Sequence, residues 1–132
     1  MDSRNAAVVR AVFDAFQRRD PDALTELLDP EVTFEPASTP VREREPYHGH
    51  EGLREYLRDI EETWDEFEVT VSDLRESGDN VVALGRIKAI ATGAAYMTDS
   101  PAGFVWRLRD GKVVWGKVFT NVSDALSAGG IE

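Results

Sequence analysis

Three side chains in this sequence are placed to move a proton: Glu35, His48 and His50. Glu35 ends a short alternating stretch, Val32-Thr33-Phe34, and precedes Pro36. A carboxylate that faces an apolar cavity has its pKa raised towards the range of a general base. Alternation gives the competing reading, with Thr33 and Glu35 on a solvent face opposite Val32 and Phe34. His48 and His50 flank Gly49 at the start of a helical pattern, where imidazoles serve in acid–base exchange or sit at a rim. A metal is not expected, because no nearby Asp, Glu or third His completes a ligand set and Glu51 points out along the helix.

A second group of residues could hold a ligand rather than transform it. Phe13, Phe16, Tyr56, Trp64, Phe104, Trp106 and Phe119 can line a cavity, and each is equally an ordinary core residue. Asn121 cannot act as an acid or base near neutral pH, but it can orient a ligand or cap a helix. Arg86 and Lys88 lie in phase with Leu84 and Ile90. Facing inward they could meet a ligand carboxylate or phenolate. Facing outward they are surface charges, and Ala83, Gly85, Ile87 and Ala89 pack on the helices instead.

Several chemistries are excluded. The chain has no cysteine, so thiol nucleophiles, disulfides and thiolate metal sites are absent. No Gly-rich phosphate loop follows a strand, and no Ser sits on a nucleophile elbow. The formal charge of −10 repels phosphate backbones and anionic lipid, and the Trp residues are not interleaved with basic ones. Nucleic acid and membrane are therefore not expected partners. No signal-peptide pattern and no membrane-length apolar run is visible, which predicts a cytoplasmic protein.

The elements that must position these groups follow from periodicity. The chain has 132 residues, enough for one core, and residues 1–132 are read as a single domain. Val9, Val12, Phe13 and Phe16 recur at helical spacing over roughly residues 4–18. Asp20-Pro21 reads as a cap and first helical residue, opening a short helix with Leu24, Leu27 and Leu28 that stops before Pro30. Val32–Phe34 is a brief strand. Residues 36–47 carry three prolines and read as a mobile loop, with Arg42, Glu43, Arg44 and Glu45 as a solvated stretch. A third helix places Leu53, Tyr56, Leu57, Ile60 and Trp64 on one face.

The period then becomes two. Phe67, Val69 and Val71 start a strand, residues 77–80 turn, and residues 81–91 form a long strand. Thr92-Gly93 turns again, and residues 94–109 form another strand in which Pro101 marks a bulge or an edge. Asp110-Gly111 is a hairpin signal. Residues 112–119 return, and residues 124–128 close with a helical turn. The order is α-α-β-α-β-β-β-β-α, an α+β fold whose antiparallel sheet wraps on three helices as a cone with a mouth wide enough for a ligand.

The segments Asp20-Pro21-Asp22-Ala23-Leu24, Leu28–Phe34, Tyr47–Leu57, Val105–Val114 and Asp124–Gly129 are similar to the NTF2-like superfamily, and within it to SnoaL-like proteins. The resemblance spans almost the whole chain. It implies a cone fold that hosts polyketide cyclases, ketosteroid isomerases, dehydratases, epoxide hydrolases and non-catalytic binders. It also implies, at Glu35, the carboxylate base of the similar ketosteroid isomerases. The isomerases' enolate-holding tyrosine and protonated acid fall on Val12 and Phe104, which donate no side-chain hydrogen bond, and this argues against that activity. Many SnoaL-like sequences carry Asp then Arg where this chain has Asn121-Val122.

These readings lead to a protein that binds a small, mostly apolar organic molecule in the cone and needs no cofactor. Acid–base turnover of the cyclase or isomerase type is one extension of it. The alternative is a non-catalytic binding or dimeric scaffold module whose cavity is filled by side chains. A homodimer is expected through the outer sheet face, where Val105 and Trp115 would be costly to leave wet.

Overall fold

The structure, a computed structural model, describes residues 3–36, 46–94 and 97–131. The stretch containing Arg42, Glu43, Arg44 and Glu45 lies outside the described residues. Helix α1 (Arg4–Gln17) is capped by the Ser3 side chain, and α2 (Pro21–Glu26) by that of Asp20 with proline at its first position. Strand β1 (Leu28–Glu35) and the two-residue β2 (Tyr47–His48) follow, then α3 (Gly49–Thr63). Strands β3 (Trp64–Ser77), β4 (Asn80–Ala91), β5 (Met97–Arg109) and β6 (Lys112–Phe119) form the long meander, and α4 (Val122–Ala128) ends it.

The described strands form one curved, unclosed sheet in the order β2-β1-β6-β5-β4-β3. The four late strands are antiparallel as periodicity predicts, while β1 joins the sheet parallel to β6. Strand β1 begins four residues earlier than expected, and Leu28 belongs to it rather than to α2. Pro30 is tolerated there because β2 pairs only with Thr33 and Phe34, leaving the first half of β1 with an open side. Pro101 is likewise an edge proline. Its β4 register is unbroken, but β6 pairs no further along β5 than Gly103. Trp64 leaves the third helix and opens β3 with extended backbone.

Two apolar clusters lie on opposite faces of the sheet. The larger is inside the curve, where Val9, Val12, Leu53, Leu57, Val81, Ala83, Phe104 and Trp106 bring α1, α3, β4 and β5 together. Helix α1 is fixed to β3 by Gln17, whose amide donates to the Val69 carbonyl, and by Arg19, which donates to the carbonyls of Phe16 and Phe67 at 2.6 and 2.8 Å. The smaller cluster lies outside the curve, with Val82, Val105 and Ala125 buried and Trp115 and Phe119 packed against them. Helix α4 therefore covers the outer face, and among the described residues only α1, α2 and α3 sit within the curve. Val105, expected to drive dimerisation, is already fully buried by its own chain.

Candidate functional site

The inner face follows from alternation along β4, β5 and β6. On β5 the side chains of Thr98, Ser100, Ala102, Phe104 and Trp106 point inward in steps of two, joined by Ile87 and Ala89 of β4 and by Val118 of β6. Helix α1 contributes Val12, Phe13 and Phe16, spaced to share one face. Between these elements is a cavity of about 160 Å³, lined also by Phe34, Leu53, Tyr56, Trp64 and Phe67. An apolar cavity of roughly 150 Å³ admits a benzene-sized molecule.

The aromatic residues form a connected series around this space. Phe16 stacks on Tyr56 at 6.1 Å between ring centres, and Tyr56 leans on Phe34 at 4.9 Å. Phe34 stacks on Trp106 at 5.8 Å and 13°, Trp106 meets Phe13 edge-on at 5.7 Å, and Phe13 meets Phe104 at 5.2 Å. Gly116 makes room for the Trp106 ring, because a Cβ there would lie 2.5 Å from it. The Trp106 indole nitrogen is buried and has no hydrogen-bond partner among the described residues.

The polar groups of the cavity come from α3 on one side and from Thr98 and Ser100 of β5 and Thr120 on the other. Asp59 and Thr63 share a face with Tyr56 and Ile60, at spacings of three and four residues. The Tyr47 hydroxyl, brought alongside by β2, donates to Asp59 Oδ2 at 2.6 Å. Burial pushes the Tyr56 hydroxyl pKa well above the usual phenol range. The neighbouring Tyr47 adds to the rise and the Arg19 guanidinium opposes it. Tyr56 is therefore a neutral hydroxyl at ordinary pH.

Of the residues expected from sequence, Phe13, Phe16, Tyr56, Trp64, Phe104 and Trp106 line the cavity, as do Val12 and the loop-flanking Pro36. Phe119 does not. It belongs to the outer cluster, where the Lys117 amine sits 5.3 Å from its ring centre. Arg86 is exposed and paired with Asp99 at 3.1 Å, so the outward alternative for Arg86 and Lys88 is the one the fold adopts. Asn121 is exposed and caps α4, accepting from the Asp124 backbone at 3.2 Å.

The three proton-moving candidates are not among the lining residues. Glu35 alternates with the inward Phe34 and so points to the outer face. There it accepts from the Trp115 indole at 2.8 Å and lies 3.9 Å from Lys117. His48 is exposed, with Nδ1 3.2 Å from the Thr33 hydroxyl. His50 Nε2 donates to the Leu28 carbonyl at 2.9 Å and ties α3 to β1. No group of three His, Cys, Asp or Glu side chains gathers as a metal-ligand set among the described residues.

Asp59 and Tyr47 were missed by sequence reasoning. The signal for Asp59 was present, since it lies three residues after Tyr56 and one before Ile60. Tyr47 carries no such signal, because it sits on a two-residue strand that tertiary pairing alone creates.

Comparison with known proteins agrees with this geometry. The sequence model described as the SnoaL-like domain matches residues 9–115. The chain belongs to the SnoaL-like domain family. Among solved structures, an NTF2-like protein of unknown function from Burkholderia pseudomallei is 23% identical. The alignment covers 97% of this chain and 98% of that one, with a TM-score of 0.80. A protein assigned as a SnoaL-like polyketide cyclase from Jannaschia sp. is 23% identical over 98% of this chain and 96% of its own, with a TM-score of 0.74. A ketosteroid isomerase-like fold from Catenulispora acidiphila, solved with trimethylamine, is 18% identical over 95% and 93%, also at 0.74. No curated protein matches the chain. At these identities the neighbours establish the fold of this SnoaL-like chain and leave its ligand to be argued from its own residues.

Proposed function

We propose that this SnoaL-like protein, folded as one domain over residues 1–132, binds a small, mostly apolar organic molecule inside the curve of its sheet. The observation that carries the reading is the unfilled volume of about 160 Å³, bordered by aromatic and aliphatic side chains with a few polar groups on α3 and β5. Such a combination of apolar walls and sparse, grouped polar atoms is the general form of a ligand pocket. It weighs against a scaffold module with a filled cavity. Any acid–base turnover of the cyclase or isomerase type would fall to Asp59, the one carboxylate on the cavity wall among the described residues, rather than to Glu35, His48 or His50.

A thermal-shift screen of ring-sized neutral compounds tests the reading. Binding is expected to raise the melting temperature of the native chain and to leave Ala102→Phe, whose added ring occupies the cavity, without response. If no compound shifts the native chain, or if Ala102→Phe binds as the native chain does, the pocket reading fails. A homodimer through the outer face would have to use what α4 leaves uncovered, the half-buried Trp115 and Phe119 beside Arg107 and Lys117. Light scattering at micromolar concentration decides it. No helix of the described residues is long and apolar enough to cross a membrane. A cytoplasmic location is proposed, and fractionation of the producing cell checks it.

A further inference from the structure

We infer that the ligand is a neutral ring compound carrying one hydrogen-bond acceptor, a carbonyl oxygen or a ring nitrogen, and that the Trp106 indole N–H is the donor that holds it. The inference rests on the pocket reading above and adds the chemistry of the ligand's polar atom.

The indole nitrogen of Trp106 is the one buried side-chain nitrogen or oxygen without a hydrogen-bond partner among the described residues. Native chains pair nearly all such atoms, because an unmet donor away from water keeps the full cost of its desolvation. Trp106 stands on the cavity wall, where it ends the inward series on β5. Leu108, the next residue in phase, is not a lining residue. The ring is also held in place. Phe34 is stacked on it, and Gly116 receives the edge formed by Cε3 and Cζ3. In an indole the N–H lies on the opposite edge, so the donor is turned away from β6. The edge-on contact with Phe13, 5.7 Å between ring centres, is a second-order partner for it at best. Other polar side chains of the wall already have partners within the protein. The Thr98 and Ser100 hydroxyls meet at 3.1 Å, and Asp59 accepts from Tyr47.

The donor dictates what it takes. An indole N–H donates and never accepts. An ammonium group has donors only and leaves it unmet, as does a hydrocarbon. A carboxylate accepts, but it brings a charge into an apolar cavity whose described lining holds no Lys, Arg or His. A neutral acceptor on a flat ring meets the N–H while its body lies against aromatic and aliphatic walls. The volume of about 160 Å³ suits a body of about one ring.

Pyridine and benzene share a shape and differ by one acceptor atom, and in mildly alkaline buffer pyridine is uncharged. Both are titrated calorimetrically into the native chain and into Trp106→Phe, which keeps a ring and removes the donor. Taking the ratio of the two affinities cancels most of the change in packing. The preference for pyridine relative to benzene should fall about tenfold in the variant. A second measurement needs no variant. In proton–nitrogen correlation spectra of the native chain, the Trp106 indole signal, identified by its Overhauser contacts with Phe13 and Phe34, should move further downfield with pyridine than with benzene. An unchanged ratio in a folded Trp106→Phe chain overturns the inference and leaves the pocket reading standing, and so does a Trp106 signal that responds alike to the two compounds. If neither compound binds, the pocket reading and the inference fall together.

Discussion

Gly116 and Gly103 offer a paired perturbation, because the same added methyl group strikes opposite faces of one sheet. On β6, Gly116 lies opposite Trp106. A Cβ there would sit 2.5 and 2.6 Å from two atoms of the indole and 3.3 Å from Phe34. Ordinary contact begins near 3.4 Å, so the ring has to retreat by about 0.9 Å. Gly116 is not among the positive-φ glycines, and alanine therefore adds no backbone strain. Phe34 and Phe13 hold the ring from two other sides, which leaves the cavity as the open direction.

Overpacking costs about 1–3 kcal/mol, and the stiffer unfolded chain of an alanine variant offsets about 0.4–1 kcal/mol of that. With free volume to move into, Gly116→Ala should fall at the low end, a net loss of about 1 kcal/mol or roughly 4 °C in melting temperature. The displaced indole takes ligand space, so affinity for any bound ring compound should drop by about tenfold. Gly103→Ala instead meets the Ala125 methyl of α4 at 2.3 Å, across the outer face. It should destabilise by about 1–3 kcal/mol as α4 lifts, with affinity held within about twofold. Urea denaturation and calorimetry on both variants separate the outcomes. Full affinity in Gly116→Ala, or an equal loss of affinity in both, would refute the assignment of Trp106 to the pocket wall.

Two further tests concern groups on either side of the sheet. Glu35→Ala removes the acceptor of the Trp115 indole, and a loss of about 1 kcal/mol in urea denaturation is expected, with ligand affinity and any turnover intact. A variant that loses affinity while staying folded would return Glu35 to the site. Tyr56 keeps its proton to higher pH when folded than when unfolded, where a phenol titrates near pH 10. Its stabilising contribution is therefore complete below about pH 10 and declines as pH rises towards the folded pKa, by at most about 1.4 kcal/mol per pH unit. Tyr56→Phe should lack this part of the alkaline decline, and identical urea midpoints against pH for the two chains would contradict the burial of the hydroxyl.

The cone was legible in the sequence because its strands and helices carry clean periods. The inward set Phe104 and Trp106, the helical set Val12, Phe13 and Phe16, and the Asp20-Pro21 cap all appear where spacing puts them. What the sequence hid was pairing. Nothing local shows that β1 runs parallel to β6, and that pairing is what sets Glu35 opposite Lys117 and beside Trp115 rather than over the cavity. Nor does periodicity say which side of a doubly covered sheet an aromatic residue faces. Phe119 alternates as regularly as Phe104, yet its face is the one that α4 covers. Tyr47 was hidden for a third reason, since its two-residue strand exists only because β1 is there to pair with it.

The replaced positions gain meaning when set on the fold. Val12 and Phe104, where the resemblance implies hydrogen-bond donors, both line the cavity on its α1 and β5 sides, and at those two positions a ligand meets only apolar contact. Asn121, where an acid is common, turns away to cap α4. Polar groups remain on two sides, Asp59, Thr63 and Tyr56 on α3 with Tyr47 in support, and Thr98 and Ser100 on β5. A ligand can thus meet polar atoms on both of these walls. A reaction that needs a base and an oxyanion donor on opposite sides of one carbon skeleton would have to draw its carboxylate from α3 and its donor from the β5 hydroxyls or the Trp106 indole.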